Sequence, residues 1–402
     1  MLGLSPYQRR LLLFLSVSCF FEGYDFMAIT QILPGLRAEM GIGIAGAGAL
    51  IAFINAGTVL AYLLVRKADR WGRRSVMMVT IAGYTLATLA TAFSPNIWMF
   101  GIAQFVARVF LTGEWATSMV YAAEEYPAEH RGTVIGLIQA FSTVGAIACA
   151  GLVPLLIQTP LGWRMVYCVG AIPLVLIAVA RRGLKETARF ESQQTTEAQP
   201  FTAILHSEHR GRMLQLALIW SLTYVCTQNA VTFWKEFAMG ERFYTDGEVG
   251  LTITIAAVAT APLLFLAGKL IDFAGRRIGA TVIYGVTSVG VLGAYSLHDH
   301  LGLGLALTFA IFGTSAVLPV MNAYTTELFP TDLRGDAFAW SNNLLGRIGY
   351  VLSPLLVGQV AVTLGWGKAV SMTTIFPLAA LALILLWLPE TNGRELEETA
   401  RI

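Results

Sequence analysis

The chain has 402 residues, of which 56% are apolar and only 13% charged, with a formal net charge of +2. Soluble domains carry about 25% charged residues, so a water-soluble enzyme is excluded, and so small and dispersed a charge leaves no basic tract for nucleic acid. The four cysteines (Cys19, Cys149, Cys168, Cys226) fall inside apolar runs without metal-ligand or redox spacing, the pattern of buried small hydrophobes rather than of a disulfide or metal framework.

A membrane-crossing helix needs about 20 mostly apolar residues. By that measure the sequence predicts an all-α membrane protein with spans over 11–34, 45–66, 75–94, 97–123, 133–157 and 164–181, then 213–240, 247–268, 278–297, 301–327, 335–361 and 366–388. Arg9 and Arg10 before the first run resemble a signal peptide, but the run is too long and has no small-residue cleavage site, so it reads as an uncleaved first span. The division is therefore an N-terminal six-helix half (1–181), a polar linker (182–212) and a C-terminal six-helix half (213–402). Alternating segments of a membrane barrel are absent from the sequence. With both termini on one side, 20 Lys and Arg fall there and five on the other, leaving Arg108 and Arg347 mid-span. The positive-inside rule makes that side cytoplasmic.

Short segments recur at a fixed offset of 203 residues. DRWGRR (Asp69–Arg74) returns as DFAGRR (Asp272–Arg277), EEYPAEHRG (Glu124–Gly132) as ELFPTDLRG (Glu327–Gly335), and LGW at 161–163 as 364–366. KETAR after the sixth span is echoed by PETNGR after the twelfth, within one residue of the same offset. Four matches in register indicate duplication. Six spans is an even number, so the halves share orientation and are expected to be related by a pseudo-twofold axis along the membrane normal, with a substrate site near the midplane at their interface.

These segments resemble the major facilitator superfamily over essentially the whole chain. The loop pattern G-x-L-x-D-x-x-G-R-[KR] is closely matched by GKLIDFAGRR (Gly268–Arg277); the first half has VRKADRWGRR, with Val65 in place of the leading Gly. The E-x-x-P-x-x-x-R-G segments and the PETNGR tail are similar to the sugar-porter and organic-ion group. GEWATSMVYAAEEYP in the fourth span most resembles metabolite:proton and aromatic-acid:proton symporters. The resemblance implies a gating role for Asp69, Arg73, Arg74, Glu124 and Arg131, and for Asp272, Arg276, Arg277, Glu327 and Arg334, which tie helix ends together in one state and part in the other. Ordinary exposed ion pairs would contribute only about 0–1 kcal/mol each.

Charges inside the spans carry the chemistry. A carboxylate at mid-bilayer costs at least ~2.5–3.5 kcal/mol, yet the first span holds Glu22 and Asp25 on one narrow helical face with Ser18, Phe21 and Ile29. The fourth span places Gln104, Arg108, Thr112, Trp115 and Met119 on one face, while Glu114 points about 120° away from Arg108, toward a neighbouring helix or the cytoplasmic half of the cavity. The resemblance implies that spans one, four, seven and ten line the cavity. Arg108 stays charged and needs an anion: Asp25, Glu22 or a substrate carboxylate. Burial and a neighbouring Arg push a carboxyl pKa in opposite directions, which suits a proton switch at Asp25, with Glu22 and Glu114 in reserve; a permanently closed Asp25–Arg108 pair is the purely structural alternative. Glu22 could also pair with Lys235. In the second half Gln228, Thr232, Asn322, Asn343, Arg347 and Tyr350 are candidate substrate contacts, although each polar residue alone is as readily interhelical glue. Lys235 and Glu236 are expected at a solvated outer rim, as is the His298–Asp299–His300 turn.

The sequence holds no Walker loop, HExxH motif or Cys/His cluster, so neither an enzyme, a cofactor nor a metal is expected. The expected function is a monomeric secondary active transporter of the inner membrane, with both termini cytoplasmic. Its partners would be protons, a small-molecule substrate and the lipid bilayer. It would take up a small organic anion, such as a carboxylate or aromatic acid, with protons by alternating access. Asp25 would couple and Arg108 would bind the anion or release the proton. Alternatives are a proton antiporter exporting organic cations, a sugar porter and a non-transporting sensor.

Overall fold

A computed structural model describes residues 4–172, 185–186, 202–330 and 333–392, and within them all side chains but those of 63–70, 128–129, 131 and 203. Every regular element among the described residues is helical. Helix α1 (Pro6–Met40) opens on a capping box in which Ser5 and Gln8 satisfy each other's backbone N–H, with proline at its first position. It closes on Gly41 at φ 67, a left-handed conformation that glycine adopts without a Cβ penalty. Helices α2 (Ile44–Trp71), α3 (Arg73–Ala92), α4 (Ile97–Glu125), α5 (Ala128–Leu156) and α6 (Arg164–Gly170) follow. Asn96 caps α4 by accepting from the Met99 N–H at 2.9 Å. The rest of the sixth predicted span, and most of the predicted linker, lie outside the described residues.

A 3₁₀ turn at Ala203–His206 precedes α7 (Arg210–Thr232), α8 (Trp234–Arg242), α9 (Asp246–Ala274), α10 (Arg276–Ser296) and α11 (His300–Glu327). Then come α12 (Arg334–Phe338), a π-helix (Ala339–Gly346), α13 (Arg347–Ser371), a 3₁₀ turn (Met372–Thr374) and α14 (Ile375–Trp387). Gly365, at φ 80 and ψ 165, breaks α13, so the eleventh and twelfth predicted spans meet there. Eight described segments are long and apolar enough to cross a membrane, and one of them, Arg334–Trp387, contains both of those spans. Helices α4 and α7 are not among the eight; they carry many of the polar candidates.

Three differences from the sequence reading have local causes. The seventh span is not continuous: it breaks at Phe233, after the Asn229 amide donates to the Val225 carbonyl at 2.6 Å and the Thr232 hydroxyl to the Gln228 carbonyl at 2.6 Å. Such side-chain bonds compete with the helical ladder and bend it. The break turns α8 inward, so Lys235 and Glu236 are buried rather than solvated, 3% and 5% exposed. The eleventh span contains eight residues of π-helix, whose wider turns rotate its faces away from α-helical spacing.

The described residues divide into two compact units, one from 1–41 with 53–197 and the other from 42–52 with 198–402. In the first, a core of Leu11, Leu15, Cys19, Met77, Ile81, Tyr84, Tyr121 and Ile138 fills the space between α1, α3, α4 and α5. In the second, Trp220, Ile283, Tyr284, Val320, Met321 and Tyr324 do the same for α7, α10 and α11. Gly48 belongs to the second unit, where its Cα lies against Gly358 and the Pro354 carbonyl.

Candidate functional site

The first unit's polar cluster exists because α1 and α5 cross at glycines. A Cβ on Gly23 would strike the Ser142 carbonyl, and one on Gly145 the Phe20 carbonyl, so only hydrogen side chains permit this approach. The crossing brings the Ser142 hydroxyl onto Glu22, to which it donates at 2.5 Å. Gly57 similarly lets α2 approach the Phe105 carbonyl and the Arg108 Cβ on α4.

Asp25 is 7% exposed and accepts from the Thr88 hydroxyl at 3.1 Å through Oδ2, while Oδ1 has no hydrogen-bond partner. Oδ1 points to Gly170, where a Cβ would collide with it. Arg108 is 5% exposed; its guanidinium lies 4.6 Å from the Phe26 ring centroid, and Nη1 has no hydrogen-bond partner. The two make no ion pair, so the closed Asp25–Arg108 pair of the structural alternative is not formed, although the Arg108 charge acts through space on both Asp25 and Glu22. Threonine and phenylalanine have taken the places that each ion was expected to fill for the other.

Glu114 is fully buried and faces α1: the Ser18 hydroxyl donates to it at 2.7 Å and Ser118 at 2.6 Å. Gln104 is also committed, its amide donating to Thr91 on α3 at 3.1 Å. Trp115 is 38% exposed.

In the second unit Arg347 sits over two rings, 4.8 Å from the Tyr350 centroid and 5.3 Å from that of Tyr224. Tyr224 stacks on Trp220 at 5.3 Å and donates its hydroxyl to Oδ1 of the Asn342 side-chain amide at 2.8 Å. Trp220 in turn donates to Thr325 at 3.1 Å. The π-turn puts Asn342, not its neighbour Asn343, against Tyr224, an arrangement that α-helical spacing does not predict. Gln228 and Thr232 bond to each other at 3.3 Å, and Asn322 is exposed. Lys235 forms an ion pair with Asp246 within this unit rather than with Glu22.

The repeated loop motifs form matching ties inside each unit. Arg73 Nη2 meets Glu124 at 2.9 Å, and Arg276 Nη2 meets Glu327 at 2.9 Å. Arg276 also reaches Asp272 at 3.3 Å, and Arg334 donates to the Phe329 carbonyl at 3.3 Å. The N–H groups of Arg73 and Arg74 donate to Glu186; those of Arg276 and Arg277 donate to Glu390. The side chains of Asp69 and Arg131 lie outside the described set.

The described residues thus form helices in two units, with charged side chains buried inside them. The chain belongs to the major facilitator superfamily, whose model matches residues 15–243 and again 216–401, and it is an integral, multi-pass transporter of that type rather than an enzyme. It is similar to the sialic acid transporter NanX of Escherichia coli, with 25% identity over 95% of this chain and 94% of that protein. It is 26% identical to the cis,cis-muconate transport protein of Acinetobacter baylyi over 87% and 86% of the two chains. With the putative niacin/nicotinamide transporter NiaP of Bacillus subtilis it shares 27% over 97% and 98%. Its fold matches a bacterial homologue of the lysosomal transporter Spinster (TM-score 0.82, 16% identity, 96% and 97% covered) and the xylose transporter XylE of E. coli (0.77, 18%, 98% and 99%).

Proposed function

We propose that the protein is a proton-coupled symporter that takes up a small organic anion by alternating access across the cell's inner membrane, with both termini in the cytoplasm. The observation that carries this reading is the pair of buried, opposite charges in the first unit, Asp25 and Arg108, which act on each other through space without bonding. An arginine that remains charged in protein and lacks a carboxylate partner is a site for a substrate carboxylate. Asp25 is the competitor: protonated, it leaves Arg108 to the substrate; ionised, it draws the guanidinium away. Substrate and proton are thereby linked through one cation. Ser142 holds Glu22 as a second acid beside the same charge, and Arg347, on its two tyrosines, contributes to recognition of the substrate in the second unit. The relatives support the substrate class, since sialic acid, muconate and niacin all carry carboxylates. The Lys and Arg bias supports the orientation, and the paired loop ties support a gating role for the repeated motifs.

The test uses the protein reconstituted in vesicles with an internal pH dye, and a panel of carboxylates, sugars and organic cations. One carboxylate should acidify the interior with wild-type protein and fail to accumulate with Asp25→Asn, while substrate exchange persists. Accumulation unchanged in that variant would remove Asp25 from coupling. Alkalinisation by cations in acid-loaded vesicles would replace symport by antiport.

A further inference from the structure

Five buried polar side-chain atoms in the first unit have no hydrogen-bond partner and belong to Asp25, Glu114 and the residues around them: Asp25 Oδ1, Tyr84 OH, Arg108 Nη1, Glu114 Oε2 and Tyr167 OH. Buried polar groups are nearly always satisfied, by ordered water where protein does not suffice. So many in one interior mark a polar path rather than scattered defects.

Helical geometry orders them. Ser18, which bonds Glu114, lies seven residues before Asp25 on α1, a rise of about 10 Å. Thr88, which bonds Asp25, has Tyr84 four residues before it on α3; residues at that spacing share a face, about one turn or 6 Å apart. Tyr84 is fully buried, and both Glu114 and Asp25 act on it electrostatically. By this spacing Tyr84 leaves α3 at a level between those of the two acids. Glu114 itself is faced by Ser18, Cys19 and Glu22 from α1, by Tyr84 from α3 and by Ser118 from its own helix. Asp25 is faced by Glu22 and Tyr24 from its own helix, by Tyr84 and Thr88 from α3, by Arg108 from α4 and by Tyr167 from α6. Neither acid has an ion-pair partner among the described residues. With Arg108 the one cation among the groups facing these acids, Glu22, Asp25 and Glu114 cannot all be ionised there at tolerable cost.

The geometry points to Glu114 as a second proton site, filled from Asp25 through the Tyr84 hydroxyl. Resting on the symport reading above, the step moves one proton. Asp25 releases its proton to the bridging hydroxyl, with water spanning the remaining gaps, and that hydroxyl passes its own proton to the Glu114 carboxylate. Asp25 is left ionised and Glu114 neutral. The new charge on Asp25 then competes for Arg108 and displaces the substrate anion, while the proton waits on Glu114 beside Ser18, about two turns nearer the N terminus of α1 than Asp25.

The experiment compares Tyr84→Phe and Glu114→Gln with the wild type in vesicles. Tyr84→Phe should exchange substrate in counterflow at the wild-type rate but accumulate it at least about tenfold more slowly under an imposed proton gradient, the scale of a lost proton-transfer group. In pH-jump infrared difference spectra, Glu114→Gln should lose one titrating carboxyl C=O band. Wild-type accumulation in Tyr84→Phe, or an unchanged spectrum in Glu114→Gln, overturns the relay. If Tyr84→Phe does not fold, as absent counterflow would show, the infrared comparison decides alone. A wild type that exchanges substrate yet never accumulates it with protons would remove the symport reading itself, a result distinct from either.

Discussion

Glu390 follows the twelfth span, where burial works against its charged form. Four backbone N–H groups outweigh burial, those of Arg276, Arg277, Thr391 and Asn392, at 2.8–3.1 Å, and hold its pKa below the usual carboxylate value. Two of these donors open α10, where a negative charge also meets the positive end of the helix dipole. Because the folded pKa is depressed, the stabilisation is fully present above the unfolded value of about 4.3 and is lost as pH falls through the folded one. Glu390→Gln should therefore lower the melting temperature in detergent at neutral pH. The difference from wild type should shrink on acidification below about pH 4. A difference that grew in acid would contradict the sign of the shift. Its companion Thr391 donates to Glu327 at 2.5 Å, so the same tail braces the second Arg–Glu tie.

Among the elements, the α1–α5 crossing is the contact on which the acid cluster depends. Gly145→Val would drive a side chain into the Phe20 carbonyl, and overpacking of this kind costs about 1–3 kcal/mol. The helices would part and withdraw Ser142 from Glu22. Gly136→Ala, on the same helix with no atom within 4 Å of the added Cβ, is the matched control and should be neutral or slightly stabilising. Thermal unfolding of the two variants checks this; equal melting temperatures would mean that the crossing is not close-packed. These elements also show what sequence can and cannot reveal. Apolar length marked the helices, and the 203-residue offset marked the motif loops, because both signals are local. The face of α1 carrying Glu22 and Asp25 was legible for the same reason. Thr88 and Ser142 were not: a threonine among many in α3 and a serine in α5 gain meaning only once the helices cross. The inward turn of α8 and the π-helix were hidden as well, since each arises from side-chain and backbone bonds that periodicity does not encode.

Across the whole molecule the duplication is kept in some places and abandoned in others. Gly72 and Gly275, at φ 87 and 95, begin equivalent helices, and Gly162 and Gly365, at φ 55 and 80, make equivalent turns. The Arg73–Glu124 and Arg276–Glu327 ties correspond residue for residue. The interior charges do not. At the same offset Glu22, Asp25, Arg108 and Glu114 become Val225, Gln228, Ile311 and Val317, while Arg347 corresponds to Val144. A buried charge is expensive wherever it is placed, so shared machinery can stay duplicated while each ion is retained in the one unit that uses it. On the symport proposal this division assigns the proton to the first unit and leaves the second to contribute recognition without coupling. Arg347→Ala should then weaken substrate binding by the loss of a charge-assisted contact, about 1.5–3 kcal/mol or roughly 10–100-fold in apparent KM. The number of protons carried per substrate should stay unchanged, whereas Asp25→Asn should alter that number. Uptake kinetics and dye-reported proton flux in the same vesicles separate the two effects. A change in proton stoichiometry in Arg347→Ala would show that the units share the coupling chemistry as well as the loop motifs.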